Sequence, residues 1–261
     1  MYSSAKFQNI ESLTLKKEDF LVLLPAYNEE DSLPMVIHQL DEIFSRDQLI
    51  LADDGSTDKT SKVAQQLGIK IIKNKNNRGK GHILRSAFTF IVQKFPTIKW
   101  VITFDTDGQH DTRDMPRFFQ TVEKYPEAEI ILGKRDYNQM PPINWISNKL
   151  TSTWSNYWLN WNLADLQCGF RCYQTKALRH ILEYGLTSNK FDLETEVLLV
   201  AWLLDVKIID IPITTLYPET RRKSRIKPLI DTIRWMFLVV RFAFSPSFVI
   251  KVWQTRYLRR L

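Results

Sequence analysis

Cysteine is scarce in this chain, with Cys168 and Cys172 the two among 261 residues. They stand four apart with no companion His or Cys at metal spacing. That argues against a disulfide-stapled scaffold or a zinc cluster and leaves two small buried hydrophobes of a reducing compartment. Also missing is an apolar run of the roughly 20 residues that cross a bilayer; the strongest stretch, residues 235–244, is interrupted by Arg241. Residues 1–20 mix polar and charged side chains and lack an apolar signal core, so secretion is not expected. There is no internal repeat and no low-complexity tract. A hydrophobic content of 44% with 25% charged residues is that of a folded globular protein, which sets wholesale disorder aside.

The net charge of +7 is unevenly placed. Residues 221–261 hold eleven Lys or Arg against one acid, Asp231, so the first 220 residues are net −3. The basicity belongs to the C-terminal end and points to an anionic partner there. At this length the chain can bury a full core as one α/β domain, with or without an appendage.

Apolar runs alternate with helical patterns. Phe20-Leu-Val-Leu-Leu24 ends at Pro25 and reads as a buried parallel strand. Further strands are predicted over residues 48–52, 69–72, 100–104 and 129–132. Helices are predicted over residues 31–44, 80–95 and 115–125, with another running to Leu67 from a cap at Ser56 or Asp58. This alternation predicts βαβ units and a mostly parallel sheet. Tyr27-Asn-Glu29, Asp53-Asp54 and Asp105-Thr-Asp107 each follow a strand, and ligands of open α/β sheets bind outside the carboxyl ends of strands.

The acidic step Phe104-Asp-Thr-Asp-Gly-Gln-His110 carries the most chemistry. Two carboxylates and the Gln109 amide oxygen suit a hard divalent cation, Mg2+ or Mn2+, with positions left for phosphate oxygens; a solvated acidic loop is the plain alternative. In Asp53-Asp-Gly-Ser-Thr-Asp58 the carboxylates can accept hydrogen bonds from a nucleobase or ribose, while Gly55 permits an otherwise disfavoured turn. Capping accounts for Ser56 and Asp58 but leaves Asp53 and Asp54 unexplained. Asn77-Arg-Gly-Lys-Gly81 can bring backbone amides and cations toward a diphosphate.

Together with Pro25-Ala-Tyr-Asn-Glu29, these motifs resemble, over roughly residues 20–227, family 2 glycosyltransferases of GT-A fold, and among them the polyprenyl-phosphate sugar synthases. The resemblance implies an α/β fold with a Rossmann-like, mostly parallel mixed sheet flanked by helices. It implies an inverting enzyme that moves a hexose, mannose or glucose, from a GDP- or UDP-sugar. Nucleotide-sugar contacts are implied at Pro25, Ala26, Tyr27, Glu29, Asp53, Asp54, Lys80, Asp105 and Thr106, and metal ligation at Asp105, Asp107 and Gln109. Asp165-Leu-Gln-Cys-Gly-Phe-Arg171 resembles the family's Asp-x-x-Ser-Gly-Phe-Arg element with Cys168 in the Ser place. Asp107, Asp165 and Arg171 are the expected catalytic residues, Asp165 as base or acceptor contact. Arg135, Arg171, Ser224 and Arg225 would position an acceptor phosphate. Arg225 stands where the family has Lys, and its planar fork suits phosphate. Phe191-Asp-Leu-Glu-Thr-Glu196 offers Glu194 or Glu196 to the acceptor, or else a solvated helix face.

Residues 228–261 are helical in pattern, broken near Ser245-Pro-Ser247. Apolar and cationic faces describe an in-plane membrane helix; packing on the sheet or on a second subunit, as in a homo-oligomer, is the alternative. Trp145, Trp154, Tyr157, Trp158 and Trp161 crowd the segment before Asp165, as core or as an aromatic wall beside a lipid phosphate. The expected organisation is an N-terminal extension over 1–19, a GT-A domain over 20–227 and a basic membrane-associating segment over 228–261. The expected acceptor is a polyprenyl or dolichyl phosphate at the cytoplasmic face of a membrane, reached by a peripheral or monotopic enzyme; no nucleic acid is expected. A saccharide hydroxyl acceptor in surface-polysaccharide or lipopolysaccharide assembly, which would need a base, is the alternative, and a catalytically silent scaffold is the third reading.

Overall fold

The computed structural model describes residues 16–136, 142–159, 163–216 and 228–250. In chain order its elements are β1 (Phe20–Ala26), α1 (Leu33–Asp41), β2 (Leu49–Asp53), α2 (Thr60–Gln66), β3 (Lys70–Lys73), α3 (Lys80–Lys94), β4 (Trp100–Thr103) and α4 (Met115–Lys124). There follow β5 (Ile130–Lys134), α5 (Pro142–Leu159), β6 (Arg171–Gln174), α6 (Thr175–Tyr184), α7 (Leu193–Leu203), β7 (Ile208–Pro212) and α8 (Pro228–Ala243).

The strands form one seven-stranded sheet in the order β3-β2-β1-β4-β6-β5-β7. β3, β2, β1 and β4 are parallel, β6 runs antiparallel to both β4 and β5, and β7 is parallel to β5. The chain winds outward from β1 to β3 and then returns to the other side of β1 as β4. That reversal leaves a crevice at the carboxyl ends of β1 and β4, the place where open sheets bind ligands. The expected α/β class with a mixed, mostly parallel sheet holds.

Strand composition follows from burial on both faces. Phe20, Val22 and Leu24 pack in one layer with α1 and α4, while Leu21 and Leu23 pack in the other with α3 and α7. Alternate residues enter opposite apolar layers, so the strand reads as an unbroken apolar run. The five expected strands and four expected helices form within a few residues of their predicted bounds. Of the two expected caps it is Asp58 that takes the first α2 amide, Thr60 N, at 2.9 Å, while Ser56 Oγ accepts from Asn28 N, also at 2.9 Å.

At the C-terminal end, α8 has two apolar faces. Leu238, Val239 and Phe242 are buried, with Leu238 and Phe242 joining the core layer of α7. Phe248, beyond the break at Ser245-Pro-Ser247, packs 5.2 Å from the Trp202 ring. Ile233, Met236, Phe237, Val240 and Phe244 lie at helical spacing on the other side, Phe237 72% and Phe244 83% exposed. Among the described residues no helix is long and apolar enough to cross a membrane.

Candidate active site

Four loops meet at the crevice. The turn after β1 is fixed by Asn28, which adopts a left-handed φ of 54° and accepts from Thr57 N at 2.8 Å. Glu29 N donates to Thr60 Oγ1 at 2.7 Å, and Glu29 Oε2 accepts from Ser32 Oγ at 2.7 Å. Pro25 and Ala26 are buried and present carbonyls: Pro25 O accepts from Thr106 Oγ1 at 2.9 Å and Ala26 O from Asp54 N at 2.9 Å. Tyr27 is half-buried beside them.

Asp53 and Asp54, both buried, close the end of β2. Asp53 accepts from Ser56 N at 2.7 Å and from Ser61 Oγ, and stands 3.4 Å from Lys73 Nζ. Asp54 accepts from Asn74 Nδ2 at 2.7 Å, Arg78 N at 2.9 Å and Gly79 N at 2.6 Å. It therefore anchors the basic loop that precedes α3. Each of these aspartates therefore organises a loop at the carboxyl end of β2.

The next turn holds the densest charge. Lys80 Nζ lies 2.7 Å from Asp105 Oδ1 and 3.0 Å from Glu194 Oε1. Burial disfavours both charged forms; for Lys80 the two carboxylates outweigh it and hold the ammonium above the ordinary lysine range. For Asp105, Lys80 and then His110 hold the carboxyl well below the usual carboxylate range. Close packing of this acid depends on Gly169, where an added Cβ would lie 2.2 Å from Asp105 Oδ2. Gly79, at φ 105°, likewise lets the basic loop touch Asn189 O, which a Cβ would meet at 2.3 Å.

Asp107 faces a different partner from Asp105. Its Oδ1 accepts from Gln109 N at 3.0 Å and its Oδ2 meets the Gln109 side-chain amide. No group of three or more His, Cys, Asp or Glu able to hold a metal occurs among the described residues. The donor chemistry nevertheless fits a hard cation: two partly exposed carboxylates on one loop, with the Gln109 amide already against Asp107 and its oxygen available by rotation.

Other expected site residues are placed differently from their expected roles. Asp165 is fully buried and binds Arg135 through two bonds, to Nε at 2.6 Å and Nη2 at 3.0 Å; Asn148 Nδ2 and Gln167 N donate to the same carboxylate. Burial disfavours its charge, but Arg135 outweighs burial and holds the carboxyl below its ordinary value. A base needs a free, basic oxygen, and this geometry instead makes Asp165 the orienting partner of Arg135. Arg171 is also fully buried and donates to Cys168 O at 2.7 Å, Leu166 O at 2.8 Å and Glu194 O at 2.7 Å. Its guanidinium ties β6 to the start of α7 and has no face turned to an acceptor.

Glu194 and Glu196 are both buried, so the solvated-face alternative is overturned. Glu194 reaches Lys80 in the crevice. Glu196 instead accepts from Thr187 N, Ser188 N and Arg241 Nη2, clasping α8 to the body. Ser224 and Arg225 lie outside the described residues, as do Trp161 and the side chain of Trp158. Trp154 packs edge-on to Trp235 of α8 with centroids 5.4 Å apart, whereas Tyr157 is exposed. Both cysteines are free and buried, and burial pushes the Cys168 thiol up to about 12.

Sequence reasoning assigned no role to His110 or Gly169. His110 is buried between Phe104 and Phe170 with both ring nitrogens lacking hydrogen-bond partners, and its Nε2 is 3.6 Å from Asp105 Oδ2. Its place directly after Gln109 was the available signal. Gly169, 64 residues from Asp105, could be connected to it only through the pairing of β4 with β6.

A model of the family described as glycosyl transferase family 2 matches residues 21–182. The undecaprenyl-phosphate mannosyltransferase of Micrococcus luteus is 23% identical over 204 residues, covering 74% of this chain and 82% of that protein. The UDP-N-acetylglucosamine–dolichyl-phosphate N-acetylglucosaminyltransferase of Methanococcus voltae is 26% identical over 219 residues, covering 76% and 86%. Glucosyl-3-phosphoglycerate synthase from Mycobacterium tuberculosis, solved with Mg2+ and UDP, superposes with a TM-score of 0.67 at 16% identity, over 92% of this chain and 83% of that one. Its likeness shows the fold, that of the GT-A glycosyltransferases. With the sheet, the crevice and the family match in agreement, this chain belongs to glycosyl transferase family 2 and is a glycosyltransferase.

Proposed function

We propose that the enzyme moves a hexose, with inversion, from a GDP- or UDP-sugar to a polyprenyl or dolichyl phosphate at the cytoplasmic face of a membrane, which it meets as a peripheral or monotopic protein. The observation that carries the acceptor reading is the exposed apolar stripe of α8, Ile233 to Phe244, on a chain whose opposite α8 face is docked onto the transferase core. Such a stripe on a helix too short to span suits burial in an interface rather than in water. The polyprenyl- and dolichyl-phosphate acceptors named for two relatives support the same class.

Asp105, Asp107 and Gln109 would hold Mg2+ or Mn2+, which when bound supplies Lewis-acid neutralisation of the departing diphosphate. Asp53, Asp54 and the basic 77–81 loop receive the nucleotide, with Tyr27 and Glu29 on the β1 side. Arg135, held in one orientation by Asp165, would help to position the acceptor phosphate, joined in this reading by Ser224 and Arg225. A phosphate is already anionic near neutral pH, so the reaction needs positioning more than a base. That accords with an Asp165 whose oxygens are filled.

The test is transfer of labelled hexose from GDP- and UDP-sugars to a short polyprenyl phosphate by wild type and Asp107→Ala. Transfer that requires Mg2+ or Mn2+ and is lost in the variant supports the reading. Transfer that survives in the variant with unchanged metal dependence overturns the metal set.

A further inference from the structure

Lys80 is held in an unusual place for a cation. It is the first residue of α3, where the helix dipole opposes positive charge, and its side chain is only 17% exposed. The preceding residue is pinned by the Gly79 N–H donating to Asp54 Oδ2 at 2.6 Å, and the Phe191 ring stands 5.9 Å from the ammonium. What compensates the lysine is the pair of carboxylates it bridges, Asp105 at 2.7 Å and Glu194 at 3.0 Å. The oxygen it takes on Asp105 belongs to one of the two carboxylates assigned above to the divalent ion. An ammonium and a divalent cation repel strongly at such range in a partly desolvated site.

We propose that Lys80 is a built-in competitor of the metal at Asp105, so that metal ion and nucleotide diphosphate bind as a coupled pair while metal alone binds weakly. The diphosphate gives the ammonium a new anionic partner beside the 77–81 loop, and Glu194 keeps it compensated as it leaves Asp105. Reciprocity then requires the metal to tighten the nucleotide by the same factor as the nucleotide tightens the metal. The proposal rests on the assignment of Asp105 as a metal ligand.

Mn2+ binding is measured from the electron-spin resonance of the free ion, with and without UDP or GDP. The proteins are wild type, Lys80→Met, Lys80→Arg and Lys190→Met. Lys190 is the charge control, because its stem lies against the same loop, where a Cβ on Gly79 would be 2.4 Å from Lys190 Cδ. Wild type and Lys80→Arg are expected to bind Mn2+ poorly until nucleotide is added. Lys80→Met is expected to bind Mn2+ alone about tenfold more tightly or better, with the nucleotide's enhancement reduced to match. Lys190→Met should stay within about threefold of wild type, since longer-range charge is screened. The proposal is overturned if Lys80→Met gains no affinity for Mn2+ alone, or if Lys190→Met gains as much. Should Lys80→Met not fold, wild type alone decides: equal Mn2+ affinity with and without nucleotide overturns the coupling. If no protein binds Mn2+ even with nucleotide present, the metal assignment itself falls and takes the proposal with it.

Discussion

Gly169→Ala adds one methyl group beside the acid that organises the crevice. The new carbon would lie 2.2 Å from Asp105 Oδ2, 2.8 Å from Cγ and 2.9 Å from Oδ1. Normal carbon–oxygen contact is more than 3 Å, so the carboxylate must withdraw by roughly 1 Å. It cannot do so freely, because Lys80 holds its other oxygen at 2.7 Å and the buried His110 ring flanks it. Overpacking of this kind costs about 1–3 kcal/mol, which lowers Tm by about 2–12 °C in a protein of this size. The larger effect falls on function, since a 1 Å misplacement of a site group costs on the order of 100-fold in rate. Hexose transfer is measured under saturating donor, with circular dichroism as the check on folding. A folded variant that transfers within threefold of wild type, at unchanged Mn2+ dependence, would refute the claim that Gly169 sets the position of Asp105.

Asp165→Asn leaves Arg135 without its charged two-point partner. The acceptor KM is expected to rise about 10- to 100-fold while the acidic limb of the kcat–pH profile stays in place; disappearance of that limb would restore Asp165 as a base. Glu196→Gln weakens the clasp between α8 and the 187–188 backbone and is expected to cost about 1–3 kcal/mol near neutral pH. Burial alone would raise the Glu196 carboxyl, but the Ser188 amide and Arg241 hold it below its ordinary value. The unfolded state therefore takes up the proton first, the stabilisation is present above about pH 4.3 and it fades as pH falls below that. The Tm gap between wild type and Glu196→Gln should shrink on acidification, and a gap that widens contradicts the sign. Phe237→Glu with Phe244→Glu alters two exposed side chains and should change stability by about 0.5 kcal/mol or less, while vesicle binding falls tenfold or more. Equal sedimentation with anionic vesicles would remove α8 as the lipid-facing element.

Much of the first half of the fold was legible because buried parallel strands leave unbroken apolar runs between amphipathic helices. The later elements hid for identifiable reasons. β6 begins with Arg171, which enters the core by donating to three carbonyls and so breaks the apolar run. α7 is buried from Leu193 through Trp202, which erases the helical period. β7 carries Asp210 and ends at Pro212. In the site, the acids and basic loop were visible as motifs, whereas the division of labour was not. A carboxylate that grips an arginine and one that faces a substrate look alike in one dimension. Only the pairing of β4 with β6 and the packing of α7 separate Asp165 and Glu196 from Asp105 and Glu194.

The central claim is that the acceptor is a lipid phosphate. The most direct measurement offers the enzyme a labelled nucleotide hexose with equal amounts of polyprenyl phosphate, the corresponding polyprenol and a saccharide, in Mg2+ or Mn2+ and in EDTA. The account predicts label in the polyprenyl phosphate product alone, and none in EDTA. Label on the polyprenol or the saccharide, with the phosphate left unused, would contradict it.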